Sequence, residues 1–117
     1  MRAMELARAH LELDWPEVQD VSRHESFDFL CVAGKQKLHV EVKGTTGDGS
    51  VVLLTRNEVE HARTNPDTTA LIVVSQIELI ESHEGQVTAA GGDLKMIHPW
   101  RITESVLVPL TYACMLD

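Results

Sequence analysis

No stretch of this chain approaches the roughly 20 consecutive apolar residues that a membrane-spanning helix needs, so no span is expected. The opening MRAMELARAHLELDW is broken by charge every two or three residues and lacks the apolar run of a signal peptide, so none is expected there. Basic residues are scarce: ten Lys and Arg against eighteen Asp and Glu give a net charge of −8. A domain that held nucleic acid by charge alone would be basic. Contact with a phosphate backbone would therefore need a metal ion, a partner or a small basic patch. Cysteine is scarce too. Cys31 and Cys114 lie in apolar runs without CxxC spacing or clustered histidines, which reads as two buried, reduced thiols of a cytoplasmic protein. Internal repeats, low-complexity tracts, zinc-like ligand spacing, a phosphate-loop G-K-[ST] ending, a G-x-S-x-G elbow and a Cys–His nucleophile pair are also missing.

What remains is 117 residues of ordinary globular composition, enough for one domain and too few for two. Residues 1–12 read as a helix with Met4, Ala7 and Leu11 on one stripe and Ala3 beside it, Glu5, Arg8 and Glu12 lying opposite. Trp15-Pro16 ends it, and residues 17–22 read as a short strand. Two further strands are expected at 26–33 and 36–43, a Gly-rich turn at 44–50 and a short apolar strand at 51–54. Thr55 and Glu58 form a T-x-x-E capping box with a Leu54–Val59 staple, starting a helix that Asn65-Pro66 stops near Thr64. Residues 70–75 read as a buried strand, 76–82 as its extension or a new element, 83–93 as a loop and 94–98 as a last strand. The apolar tail, 100–116, is expected to pack back on the sheet. The order predicts an α+β sandwich, a mixed sheet flanked by helices.

The informative segment is residues 26–43. Gly34 supplies the positive φ of a two-residue type II′ turn, so Ala33 pairs with Gln36 and Asp28 falls opposite Glu41. Phe27, Phe29, Cys31, Leu38, Val40 and Val42 then share the core face, while Asp28, Lys37, His39, Glu41 and Lys43 share the reverse face. Two carboxylates opposed in this way need a proton, a cationic neighbour or a metal, and oxygen ligands suit Mg²⁺ or Mn²⁺. Lys43, two residues beyond Glu41, can be the cation. A plain solvated strand face, with lysines flanking a glutamate, gives the same pattern.

Phe27-Asp28 followed by Glu41-Val42-Lys43 resembles the PD-(D/E)XK nuclease signature, with Phe where Pro often stands, and the element order suits that fold's αβββαβ core. More specifically, DFLCVAGKQKLHVEVKGTTG with LTRNEVEHA resembles the domain at the C-terminus of the plant NO VEIN protein, which is similar to Mrr-type restriction endonuclease domains. The resemblance covers about residues 1–75, leaving 76–117 as peripheral strands and tail. It implies that Asp28, Glu41 and the Val42 carbonyl hold Mg²⁺ (or Mn²⁺) and that Lys43 orients or activates the attacking water and stabilises phosphorane-like charge.

Other residues are secondary candidates. Glu5 is either an additional acid of the site or a solvated surface residue. His39 shares the face of Glu41; His24 and His61 are lone histidines. Thr45 and Thr46 in the Gly-rich loop, and Arg56 and Asn57 at the helix start, are candidates for substrate binding, where free N–H groups can meet phosphate. Thr55 is read as an N-cap. The leading expectation is a metal-dependent nuclease domain acting on DNA, with a homodimer mate or a larger partner protein and no membrane. The alternatives are a catalytically inactive nuclease-fold interaction module and a small-molecule hydrolase with a carboxylate metal site.

Overall fold

The computed structural model describes residues 1–103 and 106–116. Its first helix, α1 (Arg2–Glu12), forms where the sequence carries no glycine, proline or β-branched residue. Ala3, Ala7 and Leu11, spaced by four, are buried along one stripe. Strands β1 (Glu17–Asp20), β2 (Phe29–Ala33) and β3 (Gln36–Gly44) follow, then α2 (Arg56–Thr64), a single 3₁₀ turn (Pro66–Thr68), β4 (Thr69–Glu81) and β5 (Val87–Ile97). The five strands form one mixed sheet in chain order, antiparallel throughout except for β3 and β4, which run parallel with α2 as their crossover. The fold is α+β, as the sequence pattern predicts.

The two helices lie on opposite faces. On one, α1 packs against Phe29, Cys31, Leu38, Val40, Val42, Ala70, Ile72 and Val74. On the other, Ala62 of α2 packs with Leu71, Val73 and Trp100. The alternation of β3 and β4 between these two cores is the period-2 pattern of a central strand pair buried on both sides. Gly44 ends β3 where α1 comes closest: a Cβ built there would lie 2.7 Å from the Ala3 Cβ.

The β2–β3 turn is as the sequence requires. Gly34 has φ of +61°, and the register runs Phe29–Val40, Leu30–His39, Cys31–Leu38, Val32–Lys37 and Ala33–Gln36. The capping box of α2 has both of its hydrogen bonds, Glu58 N–H to the Thr55 hydroxyl and Thr55 N–H to the Glu58 carboxylate.

Several expectations are corrected. The strand placed at 26–33 begins only at Phe29. Phe27, expected on one core face with Phe29 and Val40, is instead buried on the α2 side, because the chain leaves the ladder at Asp28. Residues 51–54 join no ladder; Val51 and Leu53 are exposed while Val52 and Leu54 lean on the second core. Residues 76–81 extend β4, with Ser82 beyond its end, and the segment 83–93, read as a loop because of its glycines and polarity, is mostly β5. Backbone pairing carries that part of the ribbon with little burial, which a hydrophobic pattern does not reveal. In the tail, Trp100 is buried and Ile102 half-buried, but Val106, Val108, Leu110, Tyr112, Met115 and Leu116 are exposed and do not pack on the sheet; residues 104 and 105 lie outside the described residues. Cys31 is buried, and burial pushes its thiol up to about 11, whereas Cys114 is exposed, contrary to the expected buried pair. Among the described residues no helix is long and apolar enough to cross a membrane.

Candidate functional site

The site lies on the α2 side of β3. His39, Glu41 and Lys43 alternate onto that face, and the parallel register sets them beside Thr69, Leu71 and Val73 of β4. Helix α2 covers them, bringing Glu58 over Glu41 and Lys43 and His61 over His39. The result is a polar seam between a strand and a helix.

Asp28 reaches the seam in an unexpected way. The ladder stops at Phe29–Val40, so Asp28 is not squarely paired with Glu41. Its N–H donates to the Val40 carbonyl at 2.9 Å, its own carbonyl accepts from Val21 N–H at 2.9 Å, and Oδ2 accepts from Val42 N–H at 2.8 Å. The carboxylate thus stands in for a backbone acceptor where the ladder breaks. It still acts on Glu41 through charge and a hydrogen bond. In a strand the N–H and C=O of one residue point to the same edge, so the Val42 carbonyl faces the Asp28 side as well.

Glu41 is only 5% exposed. Burial, the hydrogen bond with Glu58, the negative charges of Asp28 and Glu58 and the hydrogen bond with Asp28 push its carboxyl up to about 10. Glu58 goes the other way. Burial works against its ionisation, but hydrogen bonds with Glu41, with Thr55 N–H and with Lys43, together with the lysine's charge, outweigh burial and hold it well below the usual range. Two carboxylates bond to each other only when one carries a proton, and these shifts put it on Glu41. Lys43 Nζ donates to both Glu58 oxygens, at 2.9 and 3.0 Å, and stands 3.6 Å from Glu41 Oε1.

Beside the carboxylates three rings meet. His39 Nδ1 and His61 Nε2 are 2.9 Å apart, and Phe27 lies parallel to His39 with centroids 4.1 Å apart. Burial first, and for His39 also the neighbouring His61, lower the basicity of both imidazoles. A neutral pair can hold this hydrogen bond, one ring donating and the other accepting. A shallow depression of about 400 Å³ opens next to the pair, lined by Ser26, Asn57, Glu60, His61, Thr64 and Asn65.

Of the residues singled out in the sequence, Asp28, Glu41, Lys43 and His39 come together, with the Val42 backbone at the same place. Glu5 does not: α1 covers the opposite face of the sheet, and Glu5 is exposed with Arg2 at 3.7 Å. Thr45 uses its N–H on Val74, its carbonyl on Ile77 and its hydroxyl on Gly47 N–H, and Thr46 is exposed. Arg56 is exposed and paired with Glu60 at 3.0 Å. Asn57 is exposed on the rim of the depression. The capping box fills the first turn of α2 with an acid, which leaves that turn poorly suited to phosphate.

Glu58 and His61 were not identified from the sequence, where one is a capping residue and the other a lone histidine. Their three-residue spacing on α2 sets them over Glu41 and His39 only once β3 and α2 are known to face each other.

Among the described residues no group of three or more His, Cys, Asp and Glu side chains is spaced as a ready metal site. The donor chemistry nevertheless suits a hard divalent ion: Asp28 and Glu41 offer carboxylate oxygens, and the Val42 carbonyl faces the same side. A family model described as Protein NO VEIN, C-terminal, matches residues 1–88. No curated protein and no solved structure matches the chain.

Proposed function

The chain belongs to the family of the C-terminal domain of protein NO VEIN, and from that premise we propose that it is a metal-dependent nuclease-type domain that hydrolyses DNA phosphodiester bonds, with the seam of Asp28, Glu41 and Lys43 as its site. The observation that carries this reading is the gathering of two carboxylates, a strand backbone and a lysine at one place, with Glu41 buried and its carboxyl pushed up to about 10. A purely structural strand face has no need of a protonated glutamate at 5% exposure.

Asp28, Glu41 and the Val42 carbonyl would hold Mg²⁺ or Mn²⁺. When bound, that ion supplies polarisation of a phosphoryl oxygen and acidifies water beside it. The chain's own residues do the rest. Asp28 fixes the end of β2 against Val42, so the two acidic positions move as one unit. Lys43 carries the positive charge toward the developing negative charge of the transferred phosphoryl group. Phe27 and the His39–His61 pair flank the site on the same side of β3. With a net charge of −8, a bound divalent cation would also offset repulsion of the phosphate backbone.

The test is cleavage of single- and double-stranded DNA by the purified chain in Mg²⁺ or Mn²⁺, with chelator and with Asp28→Asn and Glu41→Gln. Metal-dependent cutting that both substitutions abolish supports the reading; cutting that survives both refutes it.

A second reading has its own observation. Lys43 already gives two hydrogen bonds to the Glu58 carboxylate and lies close to Glu41. A nuclease-fold module used for interaction, without cleavage, would keep such a self-satisfied lysine. Stable partner binding without any divalent-ion affinity would favour it.

A further inference from the structure

We propose that Glu58, which lies outside the sequence signature, is the positioning residue for Lys43; the proposal rests on the nuclease reading above and names a further residue of the same site. Lysine has a long flexible stem, and Lys43 sits at the end of β3, where the strand alone does not fix its ammonium. Glu58 fixes it with two hydrogen bonds of 2.9 and 3.0 Å. The lysine side chain is 23% exposed and that of Glu58 12% exposed, so this pair is not a loose surface contact.

The same carboxylate also starts the helix. Glu58 Oε1 accepts from Thr55 N–H at 2.8 Å and from Lys43 Nζ at 2.9 Å. Its place is therefore set by the first turn of α2, and the lysine inherits that place. Without Glu58, the nearest partner for the ammonium is Glu41, now 3.6 Å away and beyond hydrogen-bond length. Lys43 would fall onto Glu41 and occupy the acid that the site needs free. Glu58 thus holds the cation near Glu41 and off it. This is a role for reach and charge together, which separates it from simple capping.

The experiment uses the full chain with ¹³C,¹⁵N-labelled lysine and follows the Lys43 ammonium by NMR, with Glu58→Gln, Glu58→Ala and Thr55→Ala. The wild type should show one ordered, slowly exchanging ammonium, assigned by its loss in Lys43→Arg. Thr55→Ala, which removes the hydroxyl cap but keeps the carboxylate, should leave that signal in place. Glu58→Ala should shift that signal and speed its exchange as the ammonium moves from the Glu58 position onto Glu41, and Glu58→Gln, which keeps the cap and the fold, should weaken it. In the cleavage assay, Glu58→Ala should lower kcat about tenfold to a hundredfold with KM within about twofold, and Glu58→Gln should recover part of the loss. An unchanged Lys43 signal in both Glu58 variants overturns the proposal. A wild type that cuts no DNA refutes the nuclease reading instead, while the ammonium signal still decides whether Glu58 seats the lysine.

Discussion

Glu41 and Glu58 face each other between β3 and α2 with opposite shifts: burial and the facing acids push the Glu41 carboxyl up, while hydrogen bonds and the Lys43 charge outweigh burial and hold Glu58 down. One acid is thus kept neutral and the next kept ionised within a single site, and Lys43 stands beside both. This arrangement makes the stability of the domain depend on pH in a defined direction.

The first prediction follows from Glu41. Its carboxyl is raised from 4.5 to about 10 in the folded state. Between these values the folded chain binds more protons than the unfolded chain, so this group makes stability fall as pH rises through that window. Glu41→Gln supplies permanent N–H donors where the proton sits. It should match the wild type near pH 4.5 and exceed it by roughly 1–3 kcal/mol at pH 8–9 without divalent ions. Urea denaturation across pH measures the difference, and a constant offset at all pH values would count against it.

The histidine pair works in the opposite sense. Both imidazoles are lowered from 6.5 by burial, His39 also by its neighbour. As pH falls below 6.5 the unfolded chain takes up protons that the folded pair resists, so this pair's contribution is lost with acidification. The double substitution His39→Phe with His61→Phe should flatten the decline in stability from pH 7 to pH 5. The same denaturation series, read for the double variant, checks it.

Gly44 gives a packing prediction. A methyl group there would meet the Ala3 Cβ at 2.7 Å and the Ile77 Cδ1 at 3.3 Å. Gly44→Ala should push α1 from the sheet and cost about 1–3 kcal/mol. Gly85→Ala would meet no atom within 4 Å, yet Gly85 has φ of +81°, so its cost is local backbone strain. Thermal unfolding with methyl chemical shifts of Ala3 distinguishes the two: only Gly44→Ala should move the Ala3 signal.

Much of this was legible before the fold was known. The II′ turn at Gly34 fixed the register of β2 and β3, and the T-x-x-E pattern fixed the start of α2. Asp28, Glu41 and Lys43 could be grouped because they depend on local strand geometry. The break at Asp28 could not be seen, because it arises from a side chain replacing a backbone acceptor and from Val21 capturing the Asp28 carbonyl. That break turns Phe27 to the histidine side. Glu58 and His61 were hidden for another reason: their partners lie on β3, 15 and 22 residues away, and only the docking of α2 brings them together. The glycines and polar residues of β5 masked a strand held mainly by backbone pairing to β4.

The central claim is that this seam takes a divalent ion between Asp28 and Glu41, and anomalous diffraction from crystals grown with Mn²⁺ tests it most directly. The account predicts one peak within about 2.0–2.3 Å of Asp28 and Glu41 oxygens and the Val42 carbonyl, with the Glu41–Glu58 hydrogen bond broken. A map with no peak there in saturating Mn²⁺ would contradict it.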